Sequence, residues 1–166
     1  MSRTAVSPNV WIQAARPKTL GAAVAPAAVG AAMAVEAGAF HAPSAALALL
    51  GAVLIQVGVN YHNAYQDCLK GTDADHRVGP TRVTQAGLVD PATMRRATIA
   101  VFALAVLSGV YLIVRGGWPI LTVGVASIGA ALWYTGGRYS LAYIGLADLF
   151  VFIFFGPVAV GGTYYV

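Results

Sequence analysis

Five stretches of this chain run without a single Asp, Glu, Lys or Arg for about the length that crosses a bilayer. They are residues 19–35, 42–66, 97–114, 116–137 and 149–166. A spanning helix needs roughly 20 apolar residues, with latitude for tilt and end effects. In hydrocarbon every backbone N–H and C=O must be bonded internally, and runs this long achieve that as helices. Composition agrees. Charged residues are only 10% of the 166, where a soluble domain carries about 25%. Hydrophobic residues are 58%, and the mean hydropathy is +0.72. The expected fold is all-α, a polytopic membrane helix bundle. The net charge of +4 does not imply nucleic acid, because the charges gather at the ends of the apolar runs. The single cysteine, Cys68, excludes an internal disulfide, and no Cys/His cluster suggests zinc.

Local signals place the breaks. Pro43, Pro91 and Pro119 suit helix starts, where a missing N–H costs nothing. Asp90 is placed to cap the helix beginning at Pro91. Gly38, Gly116-Gly117 and Gly136-Gly137 read as breaks. The predicted helices are 19–37, 43–66, 91–115, 118–136 and 146–166, with a polar loop over 67–90. Before them, Asn9 is expected to cap a short interfacial helix carrying Trp11 and Ile12. A signal peptide is disfavoured for this start, because a first spanning helix can serve as its own insertion signal. Pairs such as Gly21/Ala25 and Gly30/Ala34 allow close helix approach in lipid.

Lys and Arg give an orientation. With the N-terminus cytoplasmic, nine of the ten basic residues fall in inside segments and only Arg115 outside. That asymmetry predicts a multi-pass protein of the cell (inner, cytoplasmic) membrane, with both the N-terminus and the central loop cytoplasmic.

The candidate chemistry lies between Gln56 and Gln85, which holds three of the six acidic and three of the ten basic residues. Gln56, Asn60, Asn63 and Asp67 are spaced 4, 3 and 4 apart. At about 100° per residue they form one stripe roughly 60° wide. Two readings stand. The stripe bonds neighbouring helices together, or it faces a polar cavity with a function. The neighbouring charged loop favours the second. Asp67 and Asp73, joined by the Lys70-Gly71-Thr72 turn, can converge on one hard cation such as Mg2+, which takes oxygen ligands and bridges carboxylates to phosphates. Lys70, Arg77 and Arg82 add positive charge for the same anion. Asp75 reads as a solvated loop charge, Arg95 and Arg96 as topology charges, His62 as a packing residue and Asp148 as a favourable charge at a helix start.

These motifs resemble the UbiA-type superfamily of intramembrane aromatic prenyltransferases, and within it the 1,4-dihydroxy-2-naphthoate polyprenyltransferase branch of menaquinone biosynthesis. The resemblance rests on Asn63-x-x-x-Asp67, Lys70-Gly71-Thr72-Asp73, Arg77-Val78-Gly79-Pro80-Thr81-Arg82 and Gln85-Ala86-Gly87. Arg16-Pro17-Lys18-Thr19-Leu20 and 145–150 add to it. It implies transfer of a polyprenyl group from polyprenyl diphosphate to the naphthoate, with loss of carbon dioxide. It further implies Mg2+ on Asp67 and Asp73, diphosphate contacts from Asn60, Asn63, Lys70, Arg77 and Arg82, and Tyr134 lining the pocket near the cation. Membrane lipid would surround the bundle. Ala64 stands where the branch commonly has Asp. The family has about nine helices and a second Asp-rich motif. The chain therefore reads as the N-terminal part of such a domain over 1–166, expected to be inactive alone and to need a C-terminal half. The alternatives are a catalytically incomplete diphosphate-binding subunit, half of a split enzyme or, further off, a small transporter.

Overall fold

The computed structural model describes residues 7–71, 83–137, 140–142 and 144–166, and all of its regular structure is helical. Helix α1 (Pro8–Ala15) is followed by α2 (Pro17–Glu36), α3 (Ala42–Lys70), α4 (Pro91–Gly116) and α5 (Trp118–Thr135). The last span is α6 (Ala147–Ile153), a π-helical turn (Phe154–Val158) and α7 (Ala159–Tyr165). Among the described residues, five helical segments are long and apolar enough to cross a membrane. Large apolar side chains such as Val114, Leu107 and Phe152 point outward, as they do where lipid rather than protein covers a helix. The chain has the helices of a multi-pass membrane protein.

Local chemistry accounts for most of the boundaries. Pro17 disfavours the helical conformation for the residue before it. Arg16 instead turns through the left-handed region at φ 54°, so α1 and α2 meet at a sharp corner. Asn9 is not the cap expected of it. Ser7 holds that position and Pro8 is the first helical residue, as proline's fixed φ favours. Asp90 does cap α4, its Oδ2 accepting from the Thr93 N–H at 3.0 Å. His41 caps α3, its Nδ1 accepting from the Ser44 N–H at 3.4 Å.

Helix α3 continues through Lys70, beyond the boundary expected at 66. Nothing from Asp67 to Lys70 breaks a helix, and Gly71 is the first residue suited to the left-handed cap it adopts, φ 60°. Asp67 and Lys70 therefore sit on a rigid helix rather than in a loop. At roughly 1.5 Å per residue, α3 is about 43 Å long, against a hydrocarbon core of about 30 Å. Its polar C-terminal turns thus extend to the membrane boundary. The last span, expected as one helix, is broken at Gly156-Pro157, where Gly156 (φ −102°, ψ −111°) leaves helical geometry and proline withdraws an N–H.

Helix α3 is the hub, packing on α1, α2, α4, α5 and α7. Around its C-terminal half Tyr61 packs with Ala14, Val83, Val89 and Met94. The Tyr61 ring lies 5.6 Å from that of Trp11, and its hydroxyl donates to the Trp11 carbonyl at 3.3 Å. Helix α7 closes on α2 at Gly30, where an added Cβ would meet the Val160 carbonyl and come 2.8 Å from Thr163 Cβ. That contact tests the packing. Gly30→Ala is expected to destabilise the bundle by about 1–3 kcal/mol, as overpacking does. Gly21→Ala, with nothing within 4 Å, is expected to be neutral or slightly stabilising because alanine is the better helix former. Thermal unfolding in detergent should separate the two variants in that order, and equal midpoints would show that the α2–α7 contact is loose.

Candidate functional site

The polar stripe of α3 faces inward. Asn60 is 3% exposed and Asp67 6%, with Gln56 also buried. In an apolar interior each amide must find a partner, and each one does. Both amide protons of Asn60 are used: Nδ2 donates to the Ala15 carbonyl at 2.7 Å and to Thr19 Oγ1 at 3.0 Å. Gln56 Nε2 donates to the same Thr19 oxygen at 3.3 Å. Thr19 Oγ1 passes its own proton to the Arg16 carbonyl at 2.9 Å. The upper part of the stripe therefore holds the α1–α2 corner.

The lower part holds the end of α5. Asn63 Oδ1 accepts from Thr135 Oγ1 at 2.7 Å. Lys70 Nζ donates to the Thr135 carbonyl at 2.6 Å, placing positive charge at the negative end of the helix dipole. His62 Nε2 lies 3.1 Å from the Leu132 carbonyl. A carbonyl only accepts, so Nε2 carries the proton. His62 thus serves packing and bonding, as its face on the helix suggests.

Between these two attachments opens a cavity of about 640 Å³, within the range of small-molecule sites. Arg16, Lys18, Thr19, Asn60, Asn63 and Tyr134 are among its polar lining, with Gln56, Ser108, Ser127 and Thr163. The rest is mainly apolar, with residues such as Ile55, Leu112, Ile120, Ile128, Phe150 and Phe154. Along α5 the lining runs from Ile120 to Tyr134, about 21 Å at roughly 1.5 Å per residue. The space exists because the helices present Ala23, Ala48, Gly51, Ala52, Gly109 and Gly124 to it, side chains too small to fill it.

The expected site residues are distributed unevenly. Asn60, Asn63 and Tyr134 are brought together on the cavity wall. Asp67 lies two turns beyond Asn60, buried at the end of the same stripe. Lys70 meets the end of α5. Asp73, Arg77 and Arg82 fall within 72–82 and lie outside the described residues. Arg16, Lys18 and Thr19 line the cavity although the chain's charge pattern marks the two cations only as topology signals. The motif Arg16-Pro17-Lys18-Thr19 was the available clue to them. Among the described residues no three His, Cys, Asp or Glu side chains form a metal cluster.

The UbiA prenyltransferase family model matches residues 23–166. The chain is 42% identical over 155 residues to the 1,4-dihydroxy-2-naphthoate octaprenyltransferase of Mycobacterium tuberculosis, covering 93% of this chain and 53% of that protein. It is 40% identical over 163 residues to the enzyme of the same name from Escherichia coli, covering 95% and 53%. A more distant relative, UbiA prenyltransferase domain-containing protein 1 of Dictyostelium discoideum, is 27% identical over 159 residues, covering 92% and 48%. The chain spans about half the length of these curated relatives. No solved structure matches it. With the family model covering almost all the spanning helices and these relatives matched over nine-tenths of its length, the chain belongs to the UbiA prenyltransferase family.

Proposed function

We infer that the protein carrying this chain transfers a polyprenyl group from polyprenyl diphosphate to 1,4-dihydroxy-2-naphthoate, with loss of carbon dioxide, in menaquinone biosynthesis. The observation that carries the reading is the cavity: a long, mostly apolar space whose wall includes Asn60, Asn63 and Tyr134, with Asp67 buried further along the same stripe of α3. A polyprenyl tail is apolar and its diphosphate is not, and the cavity offers a long apolar wall together with the polar residues of the α3 stripe. The names of the relatives supply the acceptor.

In the reaction the allylic C–O bond to diphosphate breaks, the electron-rich ring attacks the allylic carbon, and the ring's carboxyl group departs as carbon dioxide. The apolar walls exclude water from the allylic cation, which would otherwise be quenched. Tyr134 lines the cavity, where an aromatic ring can stabilise that charge. Asn63, whose Oδ1 is held by Thr135, lines the cavity and keeps its amide N–H groups available for the diphosphate. Asp67 supplies a buried carboxylate on a rigid helix. That donor fits Mg2+, which needs oxygen ligands and completes its shell with water and substrate phosphate. Bound by Asp67 and Asp73, the ion would supply charge to stabilise the departing diphosphate. Lys70, Arg77 and Arg82 are the basic residues proposed to neutralise the same group.

The favoured location is the cytoplasmic membrane with the N-terminus and the α3–α4 connection inside, supported by nine basic residues against one. A cysteine introduced at Ser7 in a Cys68→Ser background is expected to react with an impermeant thiol reagent only from the cytoplasmic side. Labelling from outside would reverse the assignment.

Membranes containing the whole protein, given polyprenyl diphosphate and the naphthoate, are expected to form prenylated product that requires magnesium and disappears with EDTA. Asp67→Asn should lower turnover by about a hundredfold or more, the scale for losing a principal charge-stabilising contact. Unchanged turnover in that variant would remove Asp67 from the metal site, and no product from the unaltered protein would sink the transferase reading.

A further inference from the structure

Thr135 is the last residue of α5 and sits where that helix meets the polar stripe of α3. It is 6% exposed, and both its side chain and its main chain are used. The hydroxyl donates to Asn63 Oδ1 at 2.7 Å, and the carbonyl accepts from Lys70 Nζ at 2.6 Å. A carbonyl in the last turn of a helix has no partner within the helix, and Lys70 supplies one. Gly136 follows, where an added Cβ would come 3.3 Å from His62 Nε2. The missing side chain lets the end of α5 close on α3.

Asn63, Asp67 and Lys70 are spaced four and three apart, so they share one face of α3. Thr135 is bonded to the first and the last of them, and Asp67 stands between. One residue of α5 therefore fixes the two nitrogen-bearing side chains that flank a buried carboxylate. The Asn63 amide is held by its oxygen. Turned about its last torsion, which is soft, an amide exchanges acceptor for donor. The Thr135 bond commits the oxygen to α5. It leaves Nδ2, which has no partner among the described residues, on a side chain that lines the cavity.

Joining α3 to α5 does not require this arrangement. His62, which is not part of the cavity lining, already meets the same turn of α5 through the Leu132 carbonyl at 3.1 Å. A hydroxyl bonded to an amide on the cavity wall adds orientation to an attachment that exists without it.

We propose that Thr135 is a positioning residue for the diphosphate: its hydroxyl sets which end of the Asn63 amide meets the ligand, and its carbonyl steadies Lys70 on the other side of Asp67. This rests on the reading of Asn63 and Lys70 as diphosphate contacts. An ionised diphosphate offers only acceptor oxygens, so an amide turned nitrogen-first donates to it and one turned oxygen-first repels it. Thr135 acts through Asn63 and touches no substrate itself.

The test is binding, with a readout independent of turnover. The whole protein, in nanodiscs of neutral phosphatidylcholine, is titrated with magnesium pyrophosphate, which has no tail, and with farnesol, which has no phosphate. Asn63→Ala is expected to weaken pyrophosphate binding about tenfold or more, the scale of a hydrogen bond to a charged group. Thr135→Val keeps the shape and removes the hydroxyl. It is expected to weaken pyrophosphate binding about three- to tenfold, the scale of one side chain that the ligand must now immobilise. Thr135→Ala, which also lacks the hydroxyl, should show the same loss and serves where the valine variant does not fold. Thr135→Ser should bind as the unaltered protein does. Farnesol is expected to bind every variant equally. In the double variant, Thr135→Val should add nothing to Asn63→Ala, because residues acting as one unit are not additive.

Unchanged pyrophosphate affinity in the variants lacking the hydroxyl overturns the proposal. So does a loss shared by farnesol, which marks a bond holding the bundle rather than the ligand. Losses that add in the double variant also overturn it, since Thr135 then acts without Asn63. Prenylated product from the unaltered protein, together with normal pyrophosphate binding by the Thr135 variants, leaves the transferase reading standing and removes the positioning role alone. Pyrophosphate binding that depends on Thr135, in a protein that forms no product, upholds the positioning role and removes the transferase reading.

Discussion

A row of amides inside hydrocarbon has to be satisfied by protein, and the bundle is arranged to satisfy the row on α3. An apolar bundle offers few polar partners, so Gln56, Asn60 and Asn63 find theirs on other helices. Thr19 and the Ala15 carbonyl answer from the α1–α2 corner, and Thr135 answers from α5. Each bond contributes modestly, about 0.6–2 kcal/mol in membrane proteins. Their importance is directional. They set the rotation of α3 and the height of its two neighbours, and packing of small residues does not set those alone. With α2 and α5 so placed, the small side chains between them leave a cavity whose wall includes polar residues of the stripe.

The two readings of the stripe are therefore not exclusive. The same amides join helices and line the cavity. Asn60 commits both of its protons to neighbours, yet stays on the wall. Asn63 accepts from Thr135 through its oxygen, which leaves its N–H groups for another partner. A wall residue fixed by one bond and presenting another is better oriented for a ligand than a side chain free to rotate.

What could be read in the sequence was what depends on neighbours along the chain. The five spans, the Asp90 cap and the inward stripe of α3 follow from hydropathy, a three-residue spacing and helical periodicity. The corner at Arg16 did not, because its geometry is held by Asn60, 41 residues from Thr19. Topology charges and ligand-facing charges are also the same residue types at the same helix ends. Asn9 does not cap α1 because Ser7 takes that position and Pro8 starts the helix. The end of α3 lies beyond the expected boundary because a helix longer than the bilayer carries polar residues such as Asp67 without breaking. The Gly156-Pro157 break was present in the sequence, but apolar residues on both sides hid it within one hydrophobic run.

Among the described residues, the side-chain hydrogen bonds that other helices make to α5 are all at one end. His62, Asn63 and Lys70 grip its final turn, through Leu132 and Thr135. Toward Trp118 the described helix is held by side-chain packing and by its link to α4 through Gly117. One wall of the cavity thus behaves as a cantilever. It is clamped by directional bonds beside the polar stripe and compliant along the apolar length, so small sideways displacements grow with distance from the clamp. The molecule can adjust to a bulky apolar guest at the free end while the geometry at the clamped end hardly changes.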